Sequence, residues 1–349
     1  NGKVIASLKD NCYKIDIEYL EEAHKNYQWI FKEPVMEIQM NDEAQYIIAR
    51  TEGLCYLLDI NNRTIIYKRP IGQNGWMSLA GNGCMMLMGD STGISISYDI
   101  LTKEIVRYKN ILHAKLSPSG KYMWYIYKDN YCLYRYDFNT SKSISFAELP
   151  YDEFEGKIQS TFSTLVSKDE MVVVSCSDEC CIAGNLFVYH FLNNENKDQF
   201  DSYMIHEAPH LPVQHPSMFI HRDLPIWIDS SGVVACIGNN HKTINLGNIR
   251  LNKLQCINGD FTVALSAAQG RIFDFQKELK KFKCVTIDNE IMNLTGFNLS
   301  CSNDGTQIAV NSYGGHGAFG SVCLSMLRVN HGKAYSWSPI PENKRYYIC

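Results

Sequence analysis

Between Tyr203 and Asp223 the chain reads YMIHEAPHLPVQHPSMFIHRD, which gathers His206, His210, His215 and His221 into sixteen positions. Neutral imidazoles and thiolates are the ordinary ligands of tetrahedral zinc, and His206, His210, Cys180 and Cys181 are the set these residue types offer. The spacing matches neither a zinc ribbon nor a finger. In HEAPH, Pro209 opposes the helix that a two-histidine metalloprotease motif requires. Adjacent Cys180 and Cys181 project in different directions from an extended loop. The segment therefore reads as a proline-punctuated connection, with those four residues kept as the metal alternative and no cofactor expected.

Two other stretches invite a chemical reading. GGHGAFG, residues 314–320, is rich in glycine, but phosphate loops present backbone N–H groups at a helix N-terminus and these flanks read as strands. PYDEFEG, residues 150–156, collects Asp152, Glu153 and Glu155, which reads as a solvated acidic turn in the absence of a cleft that would raise a carboxyl pKa. No G-x-S-x-G elbow is present. Catalysis is not expected.

The elements that position these residues follow from composition and pattern. The 349 residues are 45% hydrophobic, enough for a large core. Net charge is −4 with cations scattered along the chain, which argues against a nucleic-acid surface. No run of eighteen apolar residues occurs, and NGKVIASLKD lacks the pattern of a signal peptide, so no membrane association is expected. A start at Asn suggests one domain, 1–349, of a longer polypeptide. The thirteen cysteines, mostly inside strand-like runs, suit a reducing compartment, and a cytoplasmic location is expected.

A repeat of about forty residues organises the chain. VMEIQMNDEAQYIIARTEGLCYLLDINNRTIIYKRP, residues 35–70, divides into four strand-like runs separated by NDEA, TEG and NNR. The same grammar recurs over 76–110, 111–150, 156–209, 216–250, 254–288 and 293–340. Ahead of these, KVIASLK, CYKIDIEY and YQWIFK supply three further strands, and KRYYIC at the end offers a fourth. A lone four-stranded sheet exposes two apolar faces, and radial stacking covers both. The expected architecture is an all-β propeller of four-stranded antiparallel blades, eight in number, closed by strands from both termini. Seven blades is the alternative if the N-terminal strands join the last unit, and a pair of β-sandwiches is the competing class.

LSPSGKYMWYI and CSNDGTQIAVNS resemble the first hairpin of the WD40-type propeller family. YLLDI, ISYDI and YRYDF resemble its third strand, with Asp59, Asp99 and Asp137 at the signature position. The Gly-His pair and the Trp before those aspartates are missing, so the family's buried His-to-Asp network does not carry over. The chain is also similar to the divergent C-terminal sensor propellers of signalling ATPases of the STAND type. The resemblance implies a non-catalytic sensor or scaffold that binds a protein or peptide through loops on one rim. Trp76, Tyr151, Phe154, His210, His215, Tyr313, His316 and Phe319 are the expected contacts, as aromatic or imidazole groups in or beside those loops. The alternative is an enzyme-associated propeller, either a metal-dependent hydrolase using the 206–221 loop or the gating propeller of a peptidase.

Overall fold

Short runs of β-branched, aromatic and methionine residues bounded by Asn, Asp and Gly leave the chain little choice but strands joined by tight turns. The computed structural model describes residues 27–148 except 73, 74 and 91, and otherwise the strand residues given below with 302, 303 and 348. Leu8–Lys9 (β1) and Cys12–Tyr13 (β2) pair only with each other, and Tyr27–Ile30 (β3) follows. The first four-stranded sheet holds Glu37–Met40 (β4), Tyr46–Arg50 (β5), Leu54–Asp59 (β6) and Thr64–Pro70 (β7). The second holds Trp76–Leu79 (β8), Met85–Gly89 (β9), Ser95–Asp99 (β10) and Ile105–Tyr108 (β11). The third holds Ile111–Leu116 (β12), Tyr122–Tyr127 (β13), Cys132–Asp137 (β14) and Lys142–Glu148 (β15).

Phe162–Ser167 (β16), Met171–Ser177 (β17), Ala183–Phe191 (β18) and Phe200–Pro209 (β19) make the fourth sheet. Met218–His221 (β20), Leu224–Ile228 (β21), Val233–Cys236 (β22) and Lys242–Asn245 (β23) make the fifth. Lys253–Ile257 (β24), Phe261–Ser266 (β25), Arg271–Phe275 (β26) and Phe282–Thr286 (β27) make the sixth. The last joins Gly296–Cys301 (β28), Gln307–Tyr313 (β29) and Gly320–Arg328 (β30) to β3 and Arg345–Tyr347 (β31). Within each four-stranded sheet the strands lie in chain order, every neighbour antiparallel. All described elements are strands, and among the described residues no helix is long and apolar enough to cross a membrane.

The apolar runs are continuous because alternate side chains serve opposite faces. Ile47 and Leu58 pack with Trp29, Leu324 and Met326 of the last sheet, whereas Ile48 and Leu57 pack with Met77, Met86 and Met88 of the second. Leu87, between those two methionines, turns the other way to Ala114, Leu116 and Met123 of the third. Each such side chain contributes about 1.5–3 kcal/mol by leaving water. First strands meet first strands: β4 touches β8 and β28, β8 touches β12, β12 touches β16, and the contacts run on through β20 and β24 to β28.

In the eight-blade expectation YQWIFK lies in a sheet with the other N-terminal runs; β3 instead pairs antiparallel with β30, Tyr27 opposite Met326 and Ile30 opposite Cys323, the placement in the last unit that the seven-blade alternative requires. The reason is burial. Trp29 is fully enclosed between Leu324 and the residues of the first sheet, a cover that β1 and β2 do not supply. β31 then adds to the outer edge of β3 in parallel.

Candidate functional site

Two kinds of turn repeat at one end of the first three sheets and the last. Asn41, Ser117 and Ser302 each close the first hairpin by accepting a backbone N–H, from Tyr46 at 2.7 Å, Tyr122 at 3.1 Å and Gln307 at 3.1 Å. Backbone bonds knit these hairpins sideways: Asn303 N–H to Asp42 O, Asp42 N–H to Gly81 O, and Asn82 N–H to Pro118 O. The aspartates of the third strands open the other turn. Asp59 accepts from Asn62 N–H, Asp99 from Leu101 and Thr102, and Asp137 from Asn139 and Thr140. Four residues after each stands a left-handed residue, Arg63, Lys103 and Ser141.

The opposite end carries the turns between second and third strands and the connections between sheets, and hydrogen bonds tie them into one rim. Glu33 Oε2, in the connection after β3, accepts from Thr51 Oγ1 at 2.7 Å and Gly53 N at 3.3 Å. Gly72 N donates to Asp90 Oδ2 at 3.2 Å, and Asn110 Nδ2 to Asp129 Oδ2 at 2.8 Å. Backbone bonds from Ile71 to Gly53, Ile111 to Gly93 and Lys128 to Asn110 complete the set. Loops bound to one another in this way are ordered before any partner arrives.

Inside the rim the first strands carry polar residues at alternate positions. Gln39 Nε2 donates to Leu79 O at 2.9 Å, and Leu79 N–H donates back to Gln39 Oε1 at 3.1 Å. The equivalent Ser78 accepts Leu116 N–H at 2.9 Å, and Ser300 accepts Met40 N–H at 2.8 Å. A polar side chain at this one position thus fastens β28 to β4, β4 to β8 and β8 to β12. Lys115 Nζ reaches past the second sheet to Gln39 Oε1 at 3.2 Å, which puts both side chains at the centre of the arrangement. Nearer the rim, Glu37 pairs with Arg50 at 3.4 Å, and His113 meets Trp76 edge-on with ring centroids 5.5 Å apart. Removal from water lowers the His113 pKa to about 4, with Lys115 adding to the effect and Glu37 opposing it. The imidazole is neutral at physiological pH and offers a hydrogen bond, not a charge. Among the described residues no group of three or more His, Cys, Asp or Glu could hold a metal ion.

Of the expected contacts, Trp76 lies in β8 and is only 6% exposed, its ring in the core with Leu87 and Ala114. Its Nε1 and the buried hydroxyl of Ser95 have no hydrogen-bond partner among the described residues. Tyr313 ends β29 opposite Gly320. His206 lies within β19, inside a strand where a connection was expected, and the side chains of both residues are outside the described set. Tyr151, Phe154, His210, His215, His316, Phe319, Cys180 and Cys181 all lie outside the described residues. The backbone does bring the ends of β17 and β19 and the start of β18 to one edge, since Ser177 opposes Gly184 and Ala183 opposes Pro209. Glu37, Gln39, His113 and Lys115 were not anticipated. Their signal was in the text of EIQM and HAKL, where a charged or amide residue interrupts an otherwise buried strand.

No protein-family model matches the chain, and no curated protein matches it. Solved structures do. The β-propeller domain of Cps50 (Swd1) from Myceliophteria thermophila superposes with a TM-score of 0.57 at 10% identity, covering 86% of this chain and 97% of that one. U3-55K gives 0.58 at 8% identity, covering 85% and 96%. The fold is a β-propeller. The hydrazine synthase of Kuenenia stuttgartiensis also superposes, at 0.57 and 9% identity over 85% and 96%. Likeness at these identities establishes architecture, and the chemistry of a propeller has to be argued from its own residues.

Proposed function

We propose that this chain is a non-catalytic propeller of seven blades that binds a protein or peptide across its rim, as a sensor or scaffold in the cytoplasm. Seven is favoured over eight because β3 and β31 complete the sheet of β28–β30, and because first-strand contacts run from β4 through to β28 and back to β4. The observation that carries the binding reading is the bonded rim: acceptors Glu33, Asp90 and Asp129 each hold a neighbouring loop in place, so recognition loses little loop entropy. The expected contacts Tyr151, Phe154, His210, His215, Tyr313, His316 and Phe319 belong to this proposal, while Trp76 enters it as support for the rim. The free thiols of Cys55 and Cys84 support a reducing location.

The test is selection of peptides from a display library on the purified chain, followed by substitution on each face. Loss of binding of the selected peptides with E52K or D129K at the rim, and retention with D137K at the other end, is the expected result. Selection of no peptide, or equal loss from both ends, rules the proposal out.

A further inference from the structure

The outer circumference holds a second surface, on the last strand of the second blade. Residues 101–107 are all exposed, with Leu101 at 80%, Ile105 at 46% and Val106 at 50%. The corresponding residues of the first blade behave differently: Ile65, Ile66 and Tyr67 of β7 pack into the cores on either side. Single exposed aliphatics are common on any surface. Here they sit on an edge that is free among the described residues, since β11 pairs there only with β10.

The edge is also unusually regular. The ladders of β7 and β15 each carry a register shift, and β7 ends in Pro70, two devices that discourage strand pairing. The β10–β11 ladder has no shift and β11 contains no proline. Asp99 N–H donates to Glu104 O, which fixes the alternation of the antiparallel ladder. The N–H and C=O of Ile105 and Arg107 therefore point away from the sheet.

Period two puts Ile105 and Arg107 on one face of β11, with Lys103 in the turn just before the strand and Lys109 in the bend just after it. With the described residues, Lys103, Arg107 and Lys109 make no side-chain hydrogen bond or ion pair. Lysines can protect an edge from pairing, but they repel only a strand of like charge. The same molecule already accepts a strand at the equivalent edge of its last blade, where β31 lies on β3 and Ile348 N–H donates to Ile30 O at 2.7 Å.

We infer that β11 is a docking edge for an extended segment of a partner protein in which acidic residues alternate with aliphatic ones, added as a fifth strand. Arg107, with Lys103 and Lys109 beside it, selects the acidic residues on the face of Ile105, and Val106 takes the apolar ones on the opposite face. A nucleic acid would satisfy the cations but leave the outward backbone groups and the aliphatics unmatched. A second copy of this edge would bring like charges together.

The test uses the full chain with a labelled peptide of about seven residues alternating Glu and Val. Beside it stand the same composition interrupted by a central Pro and an oligouridylate RNA. The alternating peptide is expected to bind and to protect the amides of Ile105 and Arg107 in residue-resolved hydrogen exchange. R107E/K109E should weaken it about tenfold with the melting temperature unchanged, since both residues are exposed. Failure of that peptide to bind, no protection at those two amides, or equal binding by the proline peptide or the RNA overturns the inference.

Discussion

At the scale of single residues, the second blade is built around a missing side chain. A Cβ on Gly89 would stand 2.7 Å from Trp76 Cε2 and 2.9 Å from Ser95 Cβ, closer than such atoms approach. The indole occupies the space that any other residue would need. Gly89→Ala is expected to destabilise by about 3 kcal/mol, through overpacking of a closed core, as a shift in the urea midpoint at unchanged slope. His113, on the far side of the same indole, gives a second expectation. Its folded pKa of about 4 lies below the unfolded value of 6.5, so the unfolded chain binds the proton first as pH falls. Stability is complete above pH 6.5 and declines between there and about 4, by about 2 kcal/mol after allowance for partial solvent access. Comparing urea midpoints of wild type and His113→Gln over that interval isolates the effect, and parallel curves would show that the His113 proton does not carry it. Cys55 is a third case, since burial pushes its thiol up to about 12 and it should resist alkylation until the protein unfolds.

At the scale of elements, the hairpin between third and fourth strands is one design used three times. Asp59, Asp99 and Asp137 accept the turn's N–H groups, and the left-handed residue four places on reverses the chain. A side chain in that conformation costs about 1 kcal/mol against glycine. Ser141 is exposed and its conformation is strained, so Ser141→Gly should raise stability by up to about 1 kcal/mol in urea unfolding. This element was legible in the sequence, because Asp-to-backbone turns and period-two apolar runs act over four or five residues, within reach of a reading by eye. So were the strands of the first three blades. The place of YQWIFK was legible only as the alternative in which the N-terminal strands join the last unit. Its residues call for burial on both faces but say nothing about which of several open edges supplies it, and the partner lies at residues 323–326. The central residues were hidden for a related reason: Gln39 and Lys115 meet only because three sheets converge, and neither flanking sequence encodes that convergence. Trp76 shows the converse error, an aromatic next to a loop whose ring the fold turns inward.

At the scale of the whole molecule, β3 and β31 are locked to the first blade. Arg63, in the β6–β7 turn, lies over the rings of Tyr27 and Tyr346 at 5.0 and 5.2 Å and donates to the Tyr346 hydroxyl, while Tyr27 Oη donates to Ile60 O at 2.9 Å. Cation–π contact and the lost hydrogen bond put the cost of Arg63→Ala at about 1–3 kcal/mol. Hydrogen exchange should locate that cost at the Ile348 amide, which bonds to Ile30 O, before it reaches the strands of the second blade. Even loosening everywhere would mean the latch is not a separable part.

The pairing of β3 with β30 has a consequence for biosynthesis. Trp29 leaves the ribosome almost three hundred residues before Leu324, which covers it. During elongation that indole and its neighbours are orphaned, a state that invites chaperones. Stalled nascent chains ending before residue 320 should remain open to protease near Tyr27, and chains released at full length should not.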